Sequence, residues 1–247
     1  MSGTALIVGA FGDDDRANNA GAVYIFNVDT GEQLYKLTAS DATPGDWFGR
    51  AVAAFDEKVI VGAPESNSIG YPTGSAYVFD LQTGAQIHKL TAAIPGWNDQ
   101  FGISVSISGS IAVVGASLAD YIYLNTGSAY VFDIVSGQQV LQLVASDHSI
   151  DDTFGGAVAV SGSVALTGSM GSDDSGPQSG SAYLYFISFS CNPADLADPW
   201  GTLDLSDVNA FVGGFGASDD VADLTGDGLL DLEDIIEFLS AFAAGCP

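Results

Sequence analysis

Residues 74–79 read GSAYVF, and residues 127–132, 53 positions on, read GSAYVF again. Residues 21–26 (GAVYIF) and 180–185 (GSAYLY) place the same pattern one period before and one period after. Gly9, Gly62, Gly115 and Gly168 close apolar runs in this register, and Phe48-Gly49, Phe101-Gly102 and Phe154-Gly155 keep it too. Three motifs sharing one period, without insertion or deletion, are not a coincidence. A period of this size implies a propeller or solenoid, in which each copy covers the apolar face of its neighbour.

Each copy carries four strand candidates. The first follows Phe-Gly, as in FGISVSIS (101–108), with Val52, Val105 and Val158 in register. The second is ALIVGA (5–10), KVIVGA (58–63), IAVVGA (111–116) or VALTGS (164–169). The third is the Ala-Tyr-Val-Phe run, and the fourth is QLYKL (33–37), QIHKL (86–90) or QVLQL (139–143). β-Branched and aromatic residues dominate these runs and turn residues separate them. Thr30-Gly31, Thr83-Gly84 and Ser136-Gly137 link the third strand to the fourth, where Gly supplies a positive φ. Asp46, Asp99 and Asp152 stand two residues before each Phe-Gly, the position of a carboxylate that caps a turn by accepting backbone N–H groups.

The fold class is therefore mainly β: four-stranded antiparallel blades of a β-propeller, with a small α-helical domain behind them. The first copy lacks its Phe-Gly strand and the fourth lacks a clear final strand, which leaves about fourteen strands, or about three and a half blades. A chain missing its N-terminal part, with more blades and the secretion signal, accounts for that count. So do a four-bladed ring with incomplete terminal blades and a homodimer of half-propellers. The start, MSGTALIVGA, shows no basic region and no cleavage site of a signal peptide.

The chain of 247 residues has 31 Asp+Glu against 5 Lys+Arg, a formal net charge of -26. Nucleic acid is excluded as a partner, because neutralising phosphates requires clustered cations. Anionic membranes are disfavoured for the same reason. No apolar run reaches the ~18 residues of a spanning helix.

The residues Phe-Gly, followed by Gly-Ala-Pro (62–64) or Gly-Ala-Ser (115–117), resemble the FG-GAP repeat of integrin α-subunit propellers and of many bacterial secreted proteins. The resemblance covers residues 4 to about 187. It implies an innermost Phe-Gly strand and an unidentified protein or glycan ligand on the propeller loops. Some blades of that family carry a calcium loop between the first and second strands. Here those connections are FDEK (55–58), SGS (108–110) and SGS (161–163), too short and too poor in carboxylates for that loop.

Composition shifts after Phe189, so the domains are read as 1–188 and 189–247. Residues 191–247 hold twelve Asp+Glu and no Lys or Arg. Asp223, Thr225, Asp227, Leu229 (through its carbonyl), Asp231 and Asp234 have the spacing of a calcium loop, with Gly228 at its sharp turn. A degenerate copy precedes it: Asp195, Asp204 and Asp207 align with Asp223, Asp231 and Asp234, and Asp198 compensates for Trp200 at the place of Asp227. Each loop leads into a helix. Leu205, Val208, Phe211 and Val212 form one apolar stripe, and Leu232, Ile235, Ile236 and Leu239 form the other, the faces expected to pack together. Cys191 and Cys246 bracket the segment. They read as a closing disulfide worth about 4 kcal/mol in the chain-entropy model, in an oxidising compartment, or as two free thiols.

Loop-helix, linker, loop-helix resembles a dockerin, and the Asp-Leu-x-Asp repeats with a terminal Ala-Ala-Gly-Cys-Pro are similar to planctomycete-like secreted tails. The resemblance implies Ca²⁺ and attachment to a cohesin-like or cell-surface partner. By that analogy Leu205, Ser206, Leu232 and Glu233 are the partner-binding positions.

No catalytic constellation stands out. His88 occupies a position filled by Tyr35 and Leu141 in other copies, and His148 reads as a solvated inter-blade loop residue. No nucleophile elbow, phosphate loop or zinc spacing appears. The run Asp13-Asp14-Asp15, with Asp173-Asp174 in the last copy, reads as a solvated loop. The expected function is extracellular, non-enzymatic binding or adhesion. A polysaccharide-degrading enzyme whose catalytic part lies elsewhere, and a structural scaffold, are the alternatives.

Overall fold

The structure is a computed structural model that describes residues 5–67, 70–173, 176–187, 205–217, 222, 224, 230 and 232–244. The chain separates into two compact units, Met1–Tyr185 and Phe186–Pro247.

The first unit is built from four antiparallel sheets in sequence order. Blade one is β1 (Ala5–Ala10), β2 (Ala22–Asn27) and β3 (Gln33–Leu37). Blade two is β4 (Ala51–Phe55), β5 (Lys58–Ala63), β6 (Ser75–Asp80) and β7 (Gln86–Leu90). Blade three repeats it as β8 (Phe101–Ser108), β9 (Ile111–Ala116), β10 (Ser128–Asp133) and β11 (Gln138–Leu143). Blade four is β12 (Phe154–Ser161), β13 (Val164–Ser169) and β14 (Ser181–Phe186). Each blade is a meander of neighbouring strands, and these are blades of a partial β-propeller. The Phe-Gly strands are edge strands that neighbour one another across blades, β4 beside β8 and β8 beside β12.

The register explains the conserved spacing of the motifs within the chain. Phe48 N–H donates to the Ala20 carbonyl at 3.0 Å, Phe101 to Thr73 at 3.1 Å and Phe154 to Thr126 at 3.0 Å, so each Phe-Gly is tied to the loop before the preceding Gly-Ala-Tyr strand. The second glycine set lies where backbones of adjacent blades touch. A Cβ on Gly62 would stand 1.9 Å from the Gly102 carbonyl oxygen, and one on Gly115 would stand 1.9 Å from that of Gly155. Only glycine allows that approach.

Packing follows the same plan. The Phe48 ring meets Tyr77 and Phe79 of its own blade at 5.5 and 5.7 Å, edge to face. Phe101 meets Tyr130 (tilted) and Phe132 (edge to face) at 5.5 and 5.8 Å, and Phe154 meets Tyr183 (tilted) and Tyr185 (edge to face) at 5.4 and 6.0 Å. Such pairs add about 1 kcal/mol each beyond the area they bury. The aromatic face of one blade rests on the aliphatic face of the blade before it: Val59, Val61, Phe48 and Phe79 pack with Val23, Ile25 and Leu37. Val105, Val114 and Phe132 pack likewise with Ile60, Val78 and Leu90. Blades two and three are therefore buried on both faces, and β5, β6, β9 and β10 read as continuous apolar runs. Blades one and four each have one open face, where Leu6, Val8, Leu184 and Phe186 are exposed.

Capping is as the carboxylates predict. Asp46 accepts from Thr43 N–H at 2.6 Å, Asp99 from Gly96 N–H at 2.5 Å and Asp152 from Ser149 N–H at 2.5 Å. All three carboxylates are buried. Gly31, Gly84 and Gly137 have φ of 72°, 70° and 74° in the third-to-fourth strand turns.

In the second unit, α1 (Leu205–Ala217) and α2 (Leu232–Ala244) are joined by a small core of Phe211, Ala222 and Phe238, with Val208, Leu224, Leu230 and Ile235 against it. Phe211 and Phe238 stack at 4.2 Å. This corrects the expected stripes. Val208, Phe211 and Ile235 pack as expected, but Val212, Leu232, Ile236 and Leu239 are exposed, and α2 turns Asp234 and Phe238 inward in their place. No described helix is long and apolar enough to cross a membrane.

Candidate functional site

The loops that precede the Phe-Gly strands, together with those between second and third strands, share one end of the propeller. In three of the four blades an internal network forms at this end around the repeat tyrosine. Tyr24 donates to Asp13 at 2.7 Å, Tyr77 to Asp41 at 3.0 Å and Tyr183 to Asp147 at 2.7 Å. In blades one and two a lysine of the fourth strand completes it. Lys36 pairs with Asp13 at 3.0 Å and also with Asp15, and its ammonium lies 5.1 Å from the centre of the Tyr24 ring. Lys89 pairs with Asp41 at 2.6 Å and lies 5.5 Å from the Tyr77 ring centre. An ammonium over a tyrosine face, backed by a carboxylate, is attracted by both. The hydrogen bonds of Lys89 and Tyr77 hold the Asp41 carboxyl below the usual range, although burial works against them. Asp13 is thus a structural node in the folded chain, while Asp14 and Asp15 stay exposed, as the reading of a solvated loop has it.

Blade three breaks the pattern. Ile94 stands where Asp41 and Asp147 stand in register, and Gln142 stands where Lys36 and Lys89 stand. The Tyr130 hydroxyl is left with neutral hydrogen-bond partners, Ser128 and Gln142. A cleft of about 370 Å³ opens there, walled by Ile94, Trp97, Tyr121 and Tyr130 and bearing two carboxylates, Asp99 and Asp120. Asp99 is 4 % exposed. Its Oδ2 takes the Gly96 N–H, but the hydroxyl that Thr43 gives to the second oxygen of Asp46, at 2.6 Å, has no counterpart, because Gly96 replaces Thr43. Burial pushes the Asp99 carboxyl above its ordinary value, with the Gly96 N–H working the other way and the charge of Asp120 adding to the rise. Burial and the Asp99 charge push Tyr130 up to about 12.

The rim of this cleft is apolar. Trp97 is 72 % and Ile94 87 % exposed, and Tyr121, Ile122, Tyr123 and Leu124 form an exposed run in the loop after β9. That loop is closed by Asp120, which accepts the Asn125 N–H at 2.8 Å, and by Thr126, which accepts the Tyr121 N–H at 3.2 Å. His148 packs between Tyr121 and Tyr123 at 6.0 and 6.1 Å and bonds the Ala145 carbonyl at 2.9 Å, so it is a wedge under the loop and not a free solvated residue. His88 lies on a half-buried strand position, 3.3 Å from the Val135 carbonyl. The sequence reading missed the cleft. Its signal was present: the corresponding loops carry Asp-Arg-Ala-Asn (15–18) and Asp-Ser-Gly-Pro (174–177), against Tyr-Ile-Tyr-Leu here.

Of the residues read as calcium ligands, Asp234 is buried within α2 and Asp207 falls in α1. Asp195, Asp198, Asp204, Asp223, Thr225, Asp227, Leu229 and Asp231 lie outside the described residues, as do Cys191 and Cys246. Leu205 and Ser206 open α1, and Leu232 and Glu233 open α2, with Leu232 exposed.

Comparison with curated proteins gives no match. The profile of the FG-GAP repeat matches residues 1–26, 32–79, 85–132 and 138–185. Each full match begins on the fourth strand of one blade and ends on the third strand of the next, so the sequence repeat straddles the blade boundary and stitches neighbours together. With four matches spanning most of its length, and a Phe-Gly edge strand packed in the same way in each later blade, the chain belongs to the FG-GAP repeat family.

Proposed function

We propose that this chain is an extracellular or cell-surface binding protein without catalytic activity. The propeller presents its loops to a protein or glycan ligand, and residues 189–247 form a calcium-binding, dockerin-like module that docks on a cohesin-like or cell-surface partner. FG-GAP repeats suggest a binding or adhesion-type repeat protein and are typical of extracellular proteins. The observation that carries the reading is the exposed aromatic and aliphatic rim of blade three, from Ile94 and Trp97 to Tyr121 and Leu124. A contiguous apolar patch on an otherwise strongly acidic chain marks an interaction surface.

The attachment half rests on two features. The spacing from Asp223 to Asp234 offers six oxygen ligands to one ion, with Asp195, Asp198, Asp204 and Asp207 as a weaker second set. On α2, Leu232, Ile236 and Leu239 are exposed along one side, the i, i+4, i+7 spacing by which a helix lies in a partner's groove.

Calorimetric titration of the full chain with Ca²⁺ tests the module. Uptake is expected, with at least one site lost in Asp223→Ala and in Asp234→Ala. No uptake, and identical melting with and without chelator, would remove the attachment half of the proposal.

A further inference from the structure

We propose that the cleft of blade three takes a primary ammonium group, the tip of a lysine side chain on a protein partner. The inference rests on reading the propeller loops as the binding surface, and it names what that surface recognises.

The argument comes from the register. Blades one and two fill this position from within, each with its own lysine ammonium set over the repeat tyrosine and against a carboxylate. Blade three has the tyrosine, but Gln142 has replaced the lysine and Ile94 the carboxylate that held it. The cleft keeps a carboxylate of its own. Asp99 is buried at the cleft wall with one hydrogen bond, to Oδ2, and its Oδ1 has no donor among the described residues. Asp120 lies close enough to raise the cost of the Asp99 charge. No Lys, Arg or His lines the cleft, and all five cations of the chain fall between residues 16 and 89. A buried carboxylate short of one donor, next to a second carboxylate, therefore looks outward for its cation.

The walls select the kind of cation. Trp97, Tyr121 and Tyr130 line the cleft, and aromatic rings attract a desolvated organic ammonium. The methylenes of a lysine stem match Ile94 and Trp97 at the rim, while the tip reaches Asp99. A calcium ion would need six to eight oxygens, and the cleft has two carboxylates among mostly apolar side chains.

The test uses the full chain and follows the Trp97 indole resonance by NMR. The probes are Nα-acetyl-lysine N-methylamide, its norleucine analogue with the same stem and no charge, calcium chloride and a neutral methyl glycoside. The lysine probe is expected to shift Trp97 saturably, more weakly as salt rises, and the norleucine probe to leave it in place. Ile94→Asp with Gln142→Lys rebuilds the arrangement that blade two already folds with, so it fills the site without disturbing the blade. This double variant and, separately, Asp99→Asn should each weaken the lysine probe about tenfold or more. Equal binding of norleucine, undiminished binding by the double variant, or silence of Trp97 towards lysine each overturns the assignment. A response to the glycoside or to calcium in place of lysine also overturns it, yet leaves the loops a binding surface. Calcium uptake by residues 189–247 is read separately, by calorimetry, and its failure would touch only the attachment.

Discussion

Blade two and blade three carry the same GSAYVF strand, the same Phe-Gly edge strand and the same aspartate-capped turn, and they differ where those elements meet solvent. In blade two, Asp41, Tyr77 and Lys89 occupy their part of the loop end with an internal salt bridge. In blade three, Ile94, Tyr130 and Gln142 leave it open, and the buried Asp99 lacks the hydroxyl that Thr43 gives Asp46. The difference separates two kinds of constraint. Where backbones of neighbouring blades touch, the repeat tolerates no variation; where the loops end, it varies freely, and function has room to settle there.

The largest effects should therefore be equal in the two blades. Gly62→Ala and Gly115→Ala each drive a Cβ into a carbonyl oxygen at 1.9 Å, and both are expected to cost more than about 4 kcal/mol, enough to abolish folding. Gly168, at the same register position in blade four, would meet nothing nearer than Ala157 Cβ at 3.7 Å, so Gly168→Ala should stay within about 1 kcal/mol of the parent chain. Thermal melts of the three variants decide this. A mild Gly62→Ala or Gly115→Ala would break the account of blade contact given by the register.

Next come Phe48→Ala and Phe101→Ala. Each ring is buried between two aromatic neighbours, and each deletion should cost about 3–5 kcal/mol in urea unfolding. Unequal losses would show that the two interfaces are not equivalent.

The comparison turns unequal at the capping aspartates. Asp46→Asn gives up one of two charge-assisted bonds to Thr43 and should lose about 1 kcal/mol. Asp99→Asn keeps an oxygen for the Gly96 N–H and removes a buried charge, so it should be neutral or stabilising by about 1 kcal/mol at neutral pH. The pH dependence has a definite sign. The folded-state pKa of Asp99 is raised, so its ionisation opposes folding above that pKa, and the penalty fades as pH falls towards the ordinary carboxylate value. The advantage of Asp99→Asn should shrink over that interval. Asp41 is the reverse: its folded-state pKa is lowered, so its contribution is fully present above the ordinary value and is lost as pH falls through the folded one. Urea melts at a series of pH values would resolve the two slopes, and slopes of the same sign would contradict the contrast between the blades.

The scaffold was legible because the repeat supplied its own alignment. Four copies of one pattern fixed strand positions that a single apolar run leaves open, and β1, β5, β9 and β13 coincide with the runs read from sequence. The cleft was not legible by the same route. Averaging over copies hides the positions where one copy departs, and Ile94, Gly96 and Gln142 matter only as departures from Asp41, Thr43 and Lys89. A second miss has another cause. α2 carries Leu232, Ile235, Ile236, Phe238 and Leu239 around much of its circumference, so spacing alone does not choose the buried side. The larger aromatic decides it: Phe238 finds Phe211, and the aliphatic stripe is left outside.

The smallest effect tests whether blade two really spends a cation on its own tyrosine. Lys89→Met keeps the stem over Tyr77 and removes the charge. The ion pair is partly exposed, so the loss should be only about 0.5 kcal/mol, and it should vanish in high salt. Stability is not the more telling readout. Without the ammonium, Asp41 loses the partner that holds its pKa down, and its carboxyl should titrate at a higher pH, followed by NMR of the Asp41 side chain. Blade two would then approach the state of blade three, a tyrosine and a carboxylate at the loop end without an internal cation. If Asp41 titrates unchanged in Lys89→Met, the lysine is incidental in blade two, and its replacement by Gln142 cannot be what opened the site in blade three.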